Sequence, residues 1–212
     1  QFPVVGHLPI RVGSKQGCDN RTFRLGSALL VRMPSRQEYA FQVEKEQFWL
    51  PKLAQHLPCQ IPMPIALGQA DTDYPWKWSI YSWLDGESAL STPVDSLEGF
   101  AYDLARFIKA LHQINTNDGP LPGIQNFHRG GSLLNYDTET RKAVSILGEE
   151  INQVAALDLW EKAINTNYTS QPVWVHGDIS SGNLLVSRGL LSAVIDFGQL
   201  AIGDPACDLT IA

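Results

Sequence analysis

The sequence predicts an α+β chain in two parts: a front built mainly of antiparallel strands with one helix, and a back that is mainly helical. Three observations carry this. Residues 22–33, TFRLGSALLVRM, set two strand-like runs on either side of Gly26-Ser27, which is a hairpin signal. Residues 97–111 repeat apolar side chains at helical spacing. Residues 173–196 place short apolar runs beside an unusual set of polar residues, His176, Asp178, Asn183 and Asp196.

The elements follow in order. After the hairpin, residues 38–57 turn helical, with Ala40, Val43, Gln47, Leu50, Leu53 or Ala54, and Leu57 on one face. Pro51 cannot donate to the Gln47 carbonyl, so it must kink this helix or start a new turn. CQIPMPIALG is extended, because each proline disfavours the helical region for the residue before it. WKWSIYSWL is a strand, rich in aromatic and β-prone residues. The pattern then breaks at DGESALSTPVD, and a domain boundary near Asp85 divides the chain into residues 1–84 and 85–212. Asp95 and Glu98, three apart, predict a capped start for the next helix, whose inward face is Leu97, Ala101, Leu104, Ile108 and Leu111. Residues 119–131 form a Gly- and Pro-rich loop, and one or two helices follow. PVWVH, NLLVS and LSAVID are short buried strands, the last two joined at Arg188-Gly189.

Composition bounds the function. The chain has 212 residues, is 44% hydrophobic and holds six Trp, enough to form a substantial core. A formal net charge of −6 argues against nucleic acid or an anionic membrane as the main partner. Cys18, Cys59 and Cys207 are odd in number and far apart, with no CxxC spacing, which fits reduced thiols in a cytoplasmic protein. No apolar run of membrane-spanning length and no signal peptide are found. The chain starts at Gln1 and ends in an apolar CDLTIA without a helix stop, so truncation at both ends is expected.

The polar cluster points to chemistry. A loop leaving one strand can aim Asp178 into a cleft, and the hairpin behind it returns Asp196 to the same mouth. Carboxylates with an amide oxygen are hard ligands suited to Mg²⁺. Mg²⁺ with few protein ligands keeps positions for water and phosphate oxygens, the arrangement phosphoryl transfer needs. A carboxylate not spent on metal can accept a hydroxyl proton. Taken singly, each of Asp178, Asn183 and Asp196 reads better as a turn residue.

In order and spacing, however, HGDISSGN resembles the catalytic loop of the aminoglycoside phosphotransferase family, and VIDFG resembles the metal-binding Asp-Phe-Gly of protein kinases. GDPACDL matches the family's next block. LVRMP, EKEQFWLPKLAQHLP and WSIYSWLDGES match its front strand, helix and hinge. The resemblance covers nearly the whole chain and implies a two-lobed protein-kinase-like fold. It also implies phosphorylation of a small-molecule hydroxyl with ATP or GTP and Mg²⁺, with aminoglycoside-type antibiotics, and hence antibiotic resistance, as the leading reading. Choline, homoserine or sugar kinases, or a nucleotide-binding pseudoenzyme, are the alternatives.

The resemblance also assigns roles. Asp178 is the expected base, and Asn183 and Asp196 the expected Mg²⁺ ligands. His176 supports the loop, and Asp208 ties its backbone from behind. Arg32 is expected to reach the nucleotide phosphates, paired with Glu46, with Glu44 as the competing partner. The backbone of Tyr81, Ser82 and Trp83 is expected to meet the adenine edge. Arg32 replaces the usual lysine with a planar fork. There is no GxGxxG; the corresponding turn, VGSKQGCDNRTF, carries Gly13, Lys15, Gly17 and Asn20. Only nine residues separate Gly198 from Asp208, too few for the activation segment of a peptide kinase. His112 and the tryptophans read as packing. Asp85 and Glu87 read as a solvated hinge or a cation-facing pair, and residues 126–137 as a surface loop.

Overall fold

The computed structural model describes residues 1–13 and 17–211; Lys15 of the glycine-containing turn lies outside them. In front, β1 (Ile10–Val12), β2 (Asn20–Leu25), β3 (Leu29–Pro34), β4 (Pro64–Gly68) and β5 (Trp78–Ser82) form one antiparallel sheet in the order β1-β2-β3-β5-β4. The expected hairpin is β2–β3, with Leu25 opposite Leu29 and Gly26 at φ 60° in the turn. Residue alternation gives this sheet two faces. Leu25, Val31 and Ile80 lie on the outer face under Phe2, Val5 and Leu8. Leu30 and Tyr81 lie on the inner face against α1 (Gln37–Leu53).

Helix α1 runs through Pro51 and stops at Leu53, so Leu57 lies past its end rather than on it. The proline is tolerated because the loss is one hydrogen bond in the last turn. The buried face is Gln42, Val43, Glu46, Leu50 and Leu53, two of them polar, a departure from the apolar stripe the spacing predicts.

Behind the hinge, β6 (Glu87–Ser88) pairs with β8 (Leu184–Ser187), which pairs with β9 (Leu190–Val194). The β8–β9 turn places Arg188 at φ 52° and Gly189 at φ 75°, the twist a two-residue hairpin favours. Helix α2 (Leu97–His112) is capped by Ser96, whose hydroxyl accepts from Gly99 N, and not by Asp95. Leu97 and Ala101, in the first turns, face solvent, while Leu104, Phe107, Ile108 and Leu111 face inward. The off-by-one cap arose because Asp and Ser are both good caps; the Asp95 amide instead donates to Gly189 O. Helices α3 (Asp137–Leu147) and α4 (Gln153–Ile164) pack on each other. β7 (Val173–Val175) pairs antiparallel with β10 (Ala201–Gly203).

One main core joins both halves: Leu50 and Leu53 of α1, Phe107 and Leu111 of α2, Trp174, Leu184, Val194 and Phe197. The loops between β7, β8, β9 and β10 leave this core on the side that faces the inner surface of the front sheet. Among the described residues no helix is long and apolar enough to cross a membrane. Leu111 is fully buried. Leu111→Ala is expected to lower the unfolding free energy in urea by about 3 kcal/mol. Tyr102→Ala, on the exposed face of α2, should change it by under about 0.5 kcal/mol.

Candidate active site

The loop after β7 is held by its backbone. His176 and Gly177 donate their amides to the Asp208 carboxylate at 2.9 and 2.8 Å. Asp208 is fully buried in the short turn Pro205–Leu209 and caps a neighbouring loop rather than its own helix. Gly177 sits at φ 84°, and a Cβ there would lie 2.6 Å from the Gln199 carbonyl, so the position requires glycine. The buried His176 ring accepts the Asp178 amide on Nδ1 at 3.2 Å, and its Nε2 lies 3.0 Å from Ile195 O. Both contacts are met by the tautomer protonated on Nε2. The ring thereby ties the Asp178 loop to the strand end that carries Asp196.

Asn183 completes that tie. Its Nδ2 donates to both the carbonyl and the carboxylate of Asp178 at 2.9 Å, and its carbonyl accepts from Ile195 N at 2.9 Å. Asp196 adopts φ 67°, a left-handed conformation that Asp and Asn tolerate better than most residues. From there its Oδ1 accepts from Arg32 Nη2 at 2.8 Å. Arg32 Nη1 lies 3.3 Å from both Glu46 oxygens, and the Tyr81 hydroxyl donates to Glu46 Oε2. Glu44 instead pairs with Lys77 at the surface.

These charges are largely shut off from water. Side-chain exposure is 12% for Arg32 and 3% for Glu46, against 34% for Asp196, so the network opens to solvent at Asp196. Burial works against the Arg32 charge, yet Glu46 and Asp196 outweigh it and hold the guanidinium more firmly protonated than usual. Burial, and then the Glu46 charge, push the Tyr81 hydroxyl well above its ordinary value.

Of the residues predicted for the site, Arg32, Glu46, Tyr81 and Asp196 meet in one hydrogen-bonded group. His176, Asp178, Asn183 and Asp208 meet in a second, joined to the first through Ile195. Ser82 and Trp83 stand apart at the end of β5. Their amides donate to Met63 O at 2.9 Å and Ala28 O at 2.8 Å. The Trp83 ring lies 3.4 Å below the Arg24 guanidinium, and its Nε1 donates to Asp85 Oδ1 at 3.0 Å.

Several participants were not foreseen. Tyr81 enters by its hydroxyl, where only its backbone was expected to count. Asp19, from the turn before β2, faces the same opening. Burial raises its carboxyl pKa, a hydrogen bond from Gln42 opposes that rise, and the Asp196 charge adds to it. Lys45 donates to Gly198 O at 2.6 Å and Leu200 O at 3.3 Å. His112 places Nε2 3.5 Å from Asp208 Oδ2. The one available signal was polar residues at inward positions of α1.

The donor set fits a hard divalent cation held mostly by others. Asn183 spends its nitrogen on Asp178, which turns its oxygen the other way; Asp196 is partly exposed. Among the described residues no group of three His, Cys, Asp or Glu could cage a metal alone. A two-donor site suits Mg²⁺ that keeps phosphate and water as its remaining ligands.

Burial lowers Lys45 from its ordinary value to about 8, with Glu46 partly opposing. A lysine depressed on folding carries its full cost below the folded value, and that cost fades as pH rises towards the unfolded one. The stability of the parent relative to Lys45→Met should therefore rise between pH 8 and 10.5, by about 3 kcal/mol. Paired urea melts across that range measure it.

The model of the phosphotransferase enzyme family matches residues 13–212. No curated protein matches the chain. Among solved structures, the chain is similar to the GDP and kanamycin complex of APH(2")-IIia, with a TM-score of 0.76 and 22% identity, over 98% of this chain and 73% of that one. It is similar to macrolide 2'-phosphotransferase MphH from Brachybacterium faecium, at 0.66 and 22%, over 95% and 71%. It is also similar to the streptomycin–ATP complex of APH(2")-IIa, at 0.61 and 25%, over 94% and 69%. With a family model covering nearly every residue and this two-lobed kinase-like fold, the chain belongs to the phosphotransferase enzyme family.

Proposed function

We propose that the chain transfers the terminal phosphate of ATP or GTP to a hydroxyl of an aminoglycoside-type antibiotic. The observation that carries this reading is the chain of hydrogen bonds that ties Asp178 to Asn183 and, through Ile195, to the segment carrying Asp196, which Arg32 of β3 reaches. Similar structures hold GDP, ATP or ADP, and kanamycin, streptomycin or gentamicin. The short link from Asp196 to Asp208, mostly strand β10 and a tight turn, leaves no peptide platform and supports a small acceptor. A net charge of −6 suits a cationic one. The likeness to a macrolide phosphotransferase favours a macrolide hydroxyl as the second reading. The three free cysteines fit a reducing cytoplasm.

The residues divide the work. Asp178 accepts the proton of the attacking hydroxyl, oriented by the Asn183 amide on its Oδ2. The His176 ring and the Asp208 carboxylate fix the loop, so Asp178 does not reorganise during the step. Asn183 and Asp196 would hold Mg²⁺, which when bound neutralises phosphate charge. Arg32 turns its fork to the phosphates, with Glu46 and Tyr81 keeping it in register. The backbone near Tyr81 to Trp83 borders the nucleotide base.

Measuring ADP release across aminoglycosides, macrolides and amino alcohols tests the reading. One aminoglycoside should stimulate release. With that acceptor, Asp178→Ala should slow turnover roughly 10²–10⁴-fold while nucleotide still binds. Equal turnover by the alanine variant would remove Asp178 as the base.

A further inference from the structure

The segment after Asp196 is gripped by one helix. Along the inward face of α1, Gln42, Lys45 and Glu46 lie three and four residues apart, and all three reach toward it. Gln42 is 2% exposed, and a Cβ on Gly198 would stand 2.5 Å from its Oε1. Glu46 acts through Arg32 on Asp196 itself. Lys45 lies between them and donates to Gly198 O at 2.6 Å and Leu200 O at 3.3 Å. The turn's own bond, Leu200 N to Phe197 O at 3.0 Å, leaves those two carbonyls facing the lysine.

We propose that Lys45 is a positioning residue for Asp196, locking the 197–200 turn to α1 so that the Asp196 carboxylate keeps its place when Arg32 leaves it. This rests on the phosphotransfer reading above. In that reaction Arg32 turns to phosphate and Asp196 to metal, so their 2.8 Å contact is given up. The tie between α1 and the segment then passes to Lys45, with Gln42 packed beside it. Lys45 is half-buried, and an ammonium there loses part of its hydration. The cost is visible in the lowered pKa of Lys45. Among the described residues Glu46 opposes it electrostatically, and residues 197–200 (Phe, Gly, Gln, Leu) bring no charge.

The test compares ATP binding by calorimetry in EDTA and in Mg²⁺ for the full chain, Lys45→Met and Lys45→Arg. Lys45→Met is expected to lose about tenfold of the Mg²⁺-dependent gain in affinity. Metal-free binding should stay within about twofold, and Lys45→Arg, which keeps charge and donors, should recover part of the gain. A purely structural role predicts equal weakening with and without metal. That result, or a gain left intact in Lys45→Met, overturns the assignment while leaving Asn183 and Asp196 as ligands. A parent chain with no Mg²⁺-dependent gain overturns both. Hydrogen exchange on the parent covers the case of an unfolded variant. Residues 42–46 and 197–201 should gain protection together on Mg²⁺·ADP and not on ADP alone; protection of one segment without the other counts against the coupling.

Discussion

A buried arginine holds the two halves of this molecule in electrostatic register. Arg32 comes from β3 and Glu46 from the next element, α1, while Asp196 follows β9, far along the chain. Burying a guanidinium costs several kcal/mol unless its partners are well placed. The cost is offset only when sheet, helix and back loop sit in one relative arrangement. The apolar core beneath supplies most of the stability, but Leu, Val and Phe contacts tolerate sliding and charges do not. The network therefore selects a geometry more than it strengthens one.

The neighbouring group obeys different physics. Around His176 the contacts are mostly backbone amides and carbonyls: Asp208 takes two amides, and His176 bridges Asp178 to Ile195. Such bonds fix the path of a loop without fixing a charge state. The site thus has a half held by backbone bonds that presents Asp178 and Asn183, and a charged half centred on Arg32. Phosphoryl transfer asks for that combination, since positioned oxygens must persist while phosphate charge enters and leaves.

Much of this was legible in the residues. The 2–3 hairpin, the aromatic strand β5, helix α2 and the β8–β9 turn followed from periodicity and turn chemistry, because those are local properties. The spacing of Asp178, Asn183 and Asp196 pointed to one opening for the same reason. What escaped was long-range. Nothing near Lys45 in sequence announces that two carbonyls about 150 residues away will surround it. Ser96 and Asp95 cap equally well on paper, and only the neighbouring Gly189 decides between them. Gln42 and Glu46 were hints, being polar where the helical period called for apolar, yet amphipathic spacing alone treats such positions as noise.

Asp196 stands in a left-handed backbone conformation shared comfortably by only a few side chains. Asparagine is one of them and is nearly the same size. A single Asp-to-Asn change would therefore preserve the local contour while deleting the partly exposed charge of this network. The backbone would accept the exchange, but the buried Arg32 would lose one of its two carboxylate partners.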